Sequence, residues 1–339
     1  MDGIDEERVV PWLEANVAAL TSPVEFLLIA GGHSNLTYKV TDARGTEFVL
    51  RRPPLGHVLA TAHDMGREYR VISALGPTAV PVPRALAYCD DLSVNGTPFY
   101  VMSFVEGHII RDDETAEKIL TPDQRRRAGE SLIDVLADIH AVDPDAVGLG
   151  QLGRRDGYIE RQLKRWYKQF QASQTRQLPA VDEVYRTLLA AIPVQVSTTI
   201  VHGDYRLDNC MVDDDGEVNA VLDWEICTLG DPLADVGLLT VFWTEAGEEG
   251  LGALTPPTVA DGFPRRAELL ERYVARSGRD LSKIDYYTAF GYWKLACVVE
   301  GVYARYLGGA LGDDATGFDG YDERVVLLAN RAEEAAAKV

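Results

Sequence analysis

Cysteine is scarce, positive charge is in deficit, and no long apolar run occurs. The four cysteines, Cys89, Cys210, Cys227 and Cys297, lie far apart and form no C-x-x-C pair. That spacing argues against a disulfide framework and a zinc site, and for a reduced, cytoplasmic protein. Lysine and arginine number 33 against 53 aspartates and glutamates, a net charge of −20. A general nucleic-acid binder needs a basic face to displace counterions, so this balance argues against that class while leaving room for a local basic pocket. No apolar stretch reaches the length that spans a bilayer. The opening Met1-Asp2-Gly3-Ile4-Asp5-Glu6-Glu7 lacks the basic and apolar regions of a secretory signal. What is present suits a folded protein: 339 residues, 46% hydrophobic and 25% charged, enough for two domains or one large two-lobed unit.

Along the chain, Val9, Leu13, Val17 and Leu20 recur at helical spacing within residues 5–20. Strand-like stretches follow at 24–30, 36–40 and 48–51, separated by Gly31-Gly32-His33-Ser34-Asn35 and by the turn Asp42-Ala43-Arg44-Gly45. A helix is expected over 62–75, then strands at 86–89 and 98–104 around Asn95-Gly96. After Gly107 the pattern becomes helical, at 122–140, 157–173, 180–192 and much of 232–338. Within this half lie a short strand at 199–201 and a hairpin signature, Asp213-Asp214-Asp215-Gly216, between 210–212 and 218–222. The order is a sheet lobe over 1–106 and a helical lobe over 107–339.

The densest polar cluster is His202-Gly203-Asp204-Tyr205-Arg206-Leu207-Asp208-Asn209, followed by Leu222-Asp223-Trp224-Glu225 beyond the hairpin. Asn209 lies five residues after Asp204, and Asp223 fourteen after Asn209. This is the spacing of a kinase catalytic loop: an Asp that takes the proton of the attacking hydroxyl, an Asn that binds Mg²⁺, and an Asp past a hairpin that bridges Mg²⁺ to the phosphates. Hard oxygen ligands suit that cation.

These two segments resemble the H-G-D-x-x-x-x-N and L-D-W-E-type motifs of the aminoglycoside phosphotransferase and choline kinase superfamily, and the lobe order agrees over nearly the whole chain. Val49-Leu50-Arg51-Arg52-Pro53-Pro54, Arg67-Glu68-Tyr69 and Gly157-Tyr158-x-x-Arg161-Gln162-x-x-Arg165-Trp166 resemble a narrower group, the kinase-like domain associated with certain acyl-CoA dehydrogenases. The resemblance implies an α+β, protein-kinase-like bilobal fold that uses ATP and Mg²⁺. Asp204 is then the catalytic base, with Arg206 and His202 beside it and His202 bracing the loop. Asn209 and Asp223 hold the metal. Asp235 corresponds to the buried carboxylate that ties down the catalytic loop, and Asp231-Pro232 reads as an N-cap with proline at the first helical position.

The sheet lobe is expected to bind the nucleotide. Gly32, Ser34 and Asn35 form a turn whose backbone could approach phosphate oxygens. Arg51 stands where the family has a strand lysine, with Glu68 as its partner; the guanidinium keeps the charge but has a different reach. Met102 would sit behind the adenine, and the backbone at Phe104 and Val105 would meet its edge.

The acceptor is expected to be a small hydroxyl compound. Between residues 154 and 168, Arg154, Arg155, Arg161, Lys164, Arg165 and Lys168 face only Asp156 and Glu160, six bases against two acids and a local charge of +4. That favours an anionic acceptor held by Tyr158, Arg161 and Arg165, with Glu225 as a further substrate candidate. The narrower resemblance points to a hydroxy acid or its coenzyme A thioester. Three alternatives stay open: an aminoglycoside-type antibiotic kinase, a non-catalytic nucleotide-binding homologue, and a metal-dependent hydrolase built on His202, Asp204 and Asp223.

Overall fold

The computed structural model describes every residue except 19, 30–34, 56–63, 249, 252–255 and 309–319. The chain divides into two units, Met1–Gly107 with Asn219–Cys227, and His108–Val218 with Thr228–Val339.

The first unit is built on a five-stranded antiparallel sheet. Helix α1 (Glu6–Asn16) leads into β1 (Glu25–Leu28), β2 (Leu36–Thr41) and β3 (Glu47–Arg52), then α2 (Met65–Leu75), β4 (Ala85–Cys89), the single helical turn α3 (Leu92–Asn95) and β5 (Phe99–Ser103). The sheet order is β1-β2-β3-β5-β4. Alternation of side chains along a strand explains how β5 becomes buried on both faces. Phe99 and Val101 join Val9 and Leu13 of α1 in one core, with Trp12 edge-on to Phe99 at 4.9 Å. Tyr100 and Met102 turn towards Ile72 of α2. Asp64 caps α2 by accepting from the Arg67 amide at 2.9 Å, which sets Glu68 on the buried side of the first turn. Asn95-Gly96 does not make a tight turn between strands: it closes α3, where Gly96 takes a left-handed φ of 71°.

The second unit is mainly helical: α4 (Asp113–Ile119), α5 (Pro122–Ala141), α6 (Tyr158–Ser173), α7 (Pro179–Ala190), α8 (Leu233–Phe242), α9 (Arg266–Ser277), α10 (Ile284–Leu307) and α11 (Tyr321–Ala336). Short strands β6 (Thr199–Val201) and β9 (Thr228–Gly230) pair antiparallel. The catalytic-loop segment leads into β7 (Cys210–Val212), and β8 (Val218–Val221) carries the chain across the unit boundary. The turn between these strands closes through the Asp213 amide, which donates to the Glu217 carbonyl at 2.9 Å.

Helix α10 is apolar on most of its circumference because it is the centre of the packing. Tyr286, Phe290 and Trp293 share a core with Leu163 and Phe170 of α6, Val184 of α7 and Leu328 of α11. Its approach to α8 requires glycine: a Cβ on Gly237 would lie 2.5 Å from the Tyr287 backbone. Helix α8 begins one residue later than expected, at Leu233, with Pro232 in the cap position; the Asp231 carboxylate still accepts from the Leu233 amide at 3.1 Å. Among the described residues no helix is long and apolar enough to cross a membrane.

Candidate active site

In the helical unit, the segment after β6 is held by its backbone. The amides of His202 and Gly203 donate to the two oxygens of Asp235 at 2.7 and 2.8 Å. Asp235 lies one turn into α8 and is almost wholly buried. Its other neighbour is His140 on α5, whose Nε2 lies 3.4 Å from Oδ2 and whose Nδ1 lies 2.8 Å from the Tyr273 hydroxyl. The carboxylate can only accept, so Nε2 carries the proton and Nδ1 accepts from the tyrosine. Burial pushes the Asp235 carboxyl up, but the bonds from His140 and Gly203 outweigh it and hold the group below its ordinary value. Lys294 of α10 completes the clamp, donating to the Gly203 carbonyl at 2.7 Å. Tyr205 anchors the next turn by donating to the Leu132 carbonyl at 2.7 Å.

This framework fixes Asp204. The Asn209 amide nitrogen donates to the Asp204 carbonyl at 2.8 Å and to its carboxylate at 2.9 Å. Arg206 reaches the same carboxylate at 3.5 Å, pairs with Asp208 at 3.0 Å and stacks over Phe242 at 4.8 Å. Buried His202 accepts the Asp204 amide at 3.3 Å through Nδ1, so its place is in the loop's scaffold. Asp204 itself remains about 30% exposed.

In the sheet unit, Arg51 on β3 joins two carboxylates. Its Nη2 donates to Asp223 Oδ1 at 2.5 Å, and its Nε lies 3.3 Å from Glu68 Oε2. Tyr100 on β5 donates to Glu68 as well. Burial alone would lower the Arg51 guanidinium, yet Glu68, Tyr100 and Asp223 keep it firmly protonated. Burial pushes the Glu68 carboxyl up against the pull of Arg51. Asp223 has a φ of 64°, the one non-glycine in the left-handed region among the described residues, a strained backbone of the kind that marks functional turns.

Of the other expected nucleotide residues, Met102 shares a small cavity with Arg51 and Asp223. Phe104 and Val105 follow β5 half-buried, with Lys39 5.5 Å over the Phe104 ring. Asn35 is buried and donates to Glu225 at 3.0 Å. Gly32 and Ser34 lie outside the described residues. Of the expected acceptor residues, Tyr158 is buried with its ring packed where a Cβ on Gly230 would lie, Arg161 donates to the Arg154 carbonyl at 2.6 Å while its Nη1 is buried without a hydrogen-bond partner among the described residues, and Arg165 stacks on Trp166 at 5.1 Å. The sequence assigns no role to His140 or Tyr273, and for Lys294 it offers only a place beside Tyr292 and Trp293 in a helical stretch. Nothing in their local context separates them from core residues; only the folded contacts with Asp235 and Gly203 do.

The donor chemistry suits Mg²⁺. In the helical unit the amide nitrogen of Asn209 is committed to Asp204, which leaves its oxygen open to a hard cation; in the sheet unit Asp223 carries a carboxylate of the same hard-oxygen kind. Among the described residues no cluster of three His, Cys, Asp or Glu side chains is placed to hold a metal by itself.

A two-unit α+β chain with a small antiparallel sheet, a helical remainder and a braced Asp–Asn loop is of the protein-kinase-like class. The chain belongs to the phosphotransferase enzyme family, whose profile matches residues 25–287. It is 37% identical over 293 residues to acyl-CoA dehydrogenase family member 10 of Mus musculus, covering 85% of this chain and 27% of that protein. The chain therefore spans about a quarter of that relative's length. A crystal structure of a provisionally named aminoglycoside phosphotransferase from Ralstonia eutropha superposes with a TM-score of 0.84 at 34% identity, covering 98% of both chains. The fold is also that of an aminoglycoside phosphotransferase crystallised with AMP-PNP and hygromycin B, at a TM-score of 0.62 and 16% identity, with 98% of each chain covered.

Proposed function

We propose that the protein is a Mg·ATP-dependent kinase that transfers the γ-phosphate to a hydroxyl of a small molecule. The observation that carries this reading is the 2.9 Å contact of Asn209 with the Asp204 carboxylate, on a loop whose backbone is clamped by Asp235. Asp204 accepts the hydroxyl proton as the acceptor oxygen bonds to the γ-phosphorus. The bond from that phosphorus to the bridging oxygen breaks, and ADP leaves. Such chemistry depends on position and charge neutralisation more than on covalent help from the protein. Asn209 and Asp223 would hold Mg²⁺, which when bound neutralises phosphate charge. Arg51, positioned by Glu68, supplies fixed positive charge beside Asp223. Residues 1–106 serve the nucleotide and 107–339 the acceptor. Four buried, free cysteines suit a reducing compartment such as the cytoplasm.

The acceptor in this reading is a hydroxy acid or its coenzyme A thioester. ATP consumption by the purified protein, measured against hydroxy acids, their coenzyme A esters, aminoglycosides and amino alcohols, tests it. Turnover confined to the first two groups is expected. Turnover of an aminosugar with none of the acids would replace it with the antibiotic-kinase reading. A second reading, a non-catalytic nucleotide-binding homologue, is favoured by the grip of Arg51 on Asp223; ATP binding without transfer to any of these acceptors would establish it.

A further inference from the structure

A cavity of about 330 Å³ opens within the helical unit beside the catalytic loop. Three of its lining residues are arginines, Arg111, Arg206 and Arg324, against one acid, Asp208. Leu239, Phe242 and Trp243 supply apolar wall. Arg206 is the link to the chemistry, since the guanidinium that pairs with Asp204 also lines this space.

Arg324, one turn into α11, rests over the Tyr321 ring at 5.5 Å. Its Nε is buried and without a hydrogen-bond partner among the described residues. Burial pushes the guanidinium's pKa down; Tyr321 opposes this through its charge and a hydrogen bond, and the positive charge of Arg206 adds to the downward push. Asp208, the one acid of the lining, is already paired to Arg206 at 3.0 Å. Three guanidiniums facing one half-enclosed space repel one another, and an anion entering it would remove that repulsion and satisfy the orphaned donor. The volume is at the lower end of ligand pockets. It holds a short chain with a compact anionic head, while a coenzyme A moiety would extend beyond it through the open side.

We propose that this cavity seats the carboxylate and aliphatic body of the acceptor, with Arg324 and Arg206 on the carboxylate and the hydroxyl presented to Asp204. The assignment rests on the kinase reading above and places the anion here instead of on the Arg161 and Arg165 face. Arg324 and Arg111 are then specificity residues that composition could not single out.

Calorimetric titration of the full chain with the hydroxyhexanoates bearing the hydroxyl at C3 to C6, and with 1,6-hexanediol as the neutral match, tests it. At least one acid is expected to bind, with the diol weaker by roughly 10-fold or more. Arg324→Leu should weaken that acid by roughly 10- to 100-fold, the worth of a lost charge-assisted hydrogen bond, and Arg324→Lys by less. Arg186→Ala, on an exposed side chain, should change nothing. Equal binding of acid and diol, unchanged acid affinity in Arg324→Leu at an unchanged melting temperature, or a loss on Arg161→Ala instead, would each overturn the proposal. A hydroxyhexanoyl coenzyme A thioester that binds more tightly than the acid, undiminished in Arg324→Leu, would likewise overturn it by locating the anion on the phosphates. Acid binding lost in Arg324→Leu but never followed by ATP-dependent phosphorylation would uphold the seat and end the kinase reading.

Discussion

Arg51 and Asp223, 172 residues apart, meet through a 2.5 Å hydrogen bond. The same guanidinium holds Glu68, which is 1% exposed, so two carboxyl groups depend on one cation. Residues 219–227 belong to the sheet unit, and that three-way arrangement ties them to β3 and α2. It is reinforced by the Val221 amide donating to the Pro81 carbonyl at 2.8 Å and by Arg67 reaching the Cys227 carbonyl at 3.1 Å.

Arg51→Met should therefore cost about 3–5 kcal/mol in urea denaturation at neutral pH, because it strands a buried carboxylate. Glu68→Gln in the same background should recover much of the loss. Glu68 already has its carboxyl raised by burial, and without Arg51 it rises further. A group whose folded value exceeds its unfolded one favours the fold at low pH and loses that advantage as pH rises through the folded value. The Arg51→Met deficit should accordingly shrink towards acid pH; a deficit that ignores both pH and the added Glu68→Gln change would contradict the pairing.

Asp204→Asn keeps the shape of the loop and the contact with Asn209 while removing the proton acceptor. Turnover should fall by about 10²–10⁴-fold, with ATP affinity changed little. A variant that keeps its rate, followed by coupled ADP release, would take Asp204 out of the role of base.

Lys294 is a different kind of test, because burial lowers its ammonium while Asp204 and Asp235 hold it up. Lys294→Met preserves length, and relief of a desolvated ammonium offsets part of the cost of the lost donor and nearby cation, so the melting temperature should fall only modestly. The Gly203 carbonyl would lose its 2.7 Å donor and the loop its nearby cation, and kcat should drop roughly 10-fold or more. Loss of stability and activity in proportion would instead mark Lys294 as a packing residue.

The sheet and the helical remainder were legible because their signals are local: alternation at Tyr38 and Val40, helical spacing at Val9 and Leu13, turn residues at Asp42-Ala43-Arg44-Gly45. The braced loop was legible because Asp204 and Asn209 are only five residues apart. The clamp around Asp235 was only half legible. Asp235 could be placed by its position after Asp231-Pro232, but His140 sits 95 residues away and reads as one more residue of an amphipathic helix. The cavity was illegible for the same reason. Arg111, Arg206 and Arg324 come from three distant segments, whereas the run at 154–168 concentrates its charge within fifteen residues of sequence.

The His140–Asp235 pair should make the protein acid-labile. Burial pushes the His140 imidazole below its ordinary 6.5, so it stays neutral in the fold. In the unfolded chain it takes up a proton near its ordinary value. Below that value the unfolded state binds more protons, and stability falls as pH drops. Asp235 acts in the same sense further down, its lowered carboxyl contributing stability that is present above the ordinary 3.8 and lost as pH falls through its folded value. Stability measured in urea should thus decline between pH 7 and pH 5, with a contribution from His140 approaching about 1.4 kcal/mol per pH unit. His140→Gln retains a donor for Asp235 but cannot titrate, so its curve should start lower and run flatter over that interval. Parallel curves for the two proteins would show that the proton uptake lies elsewhere.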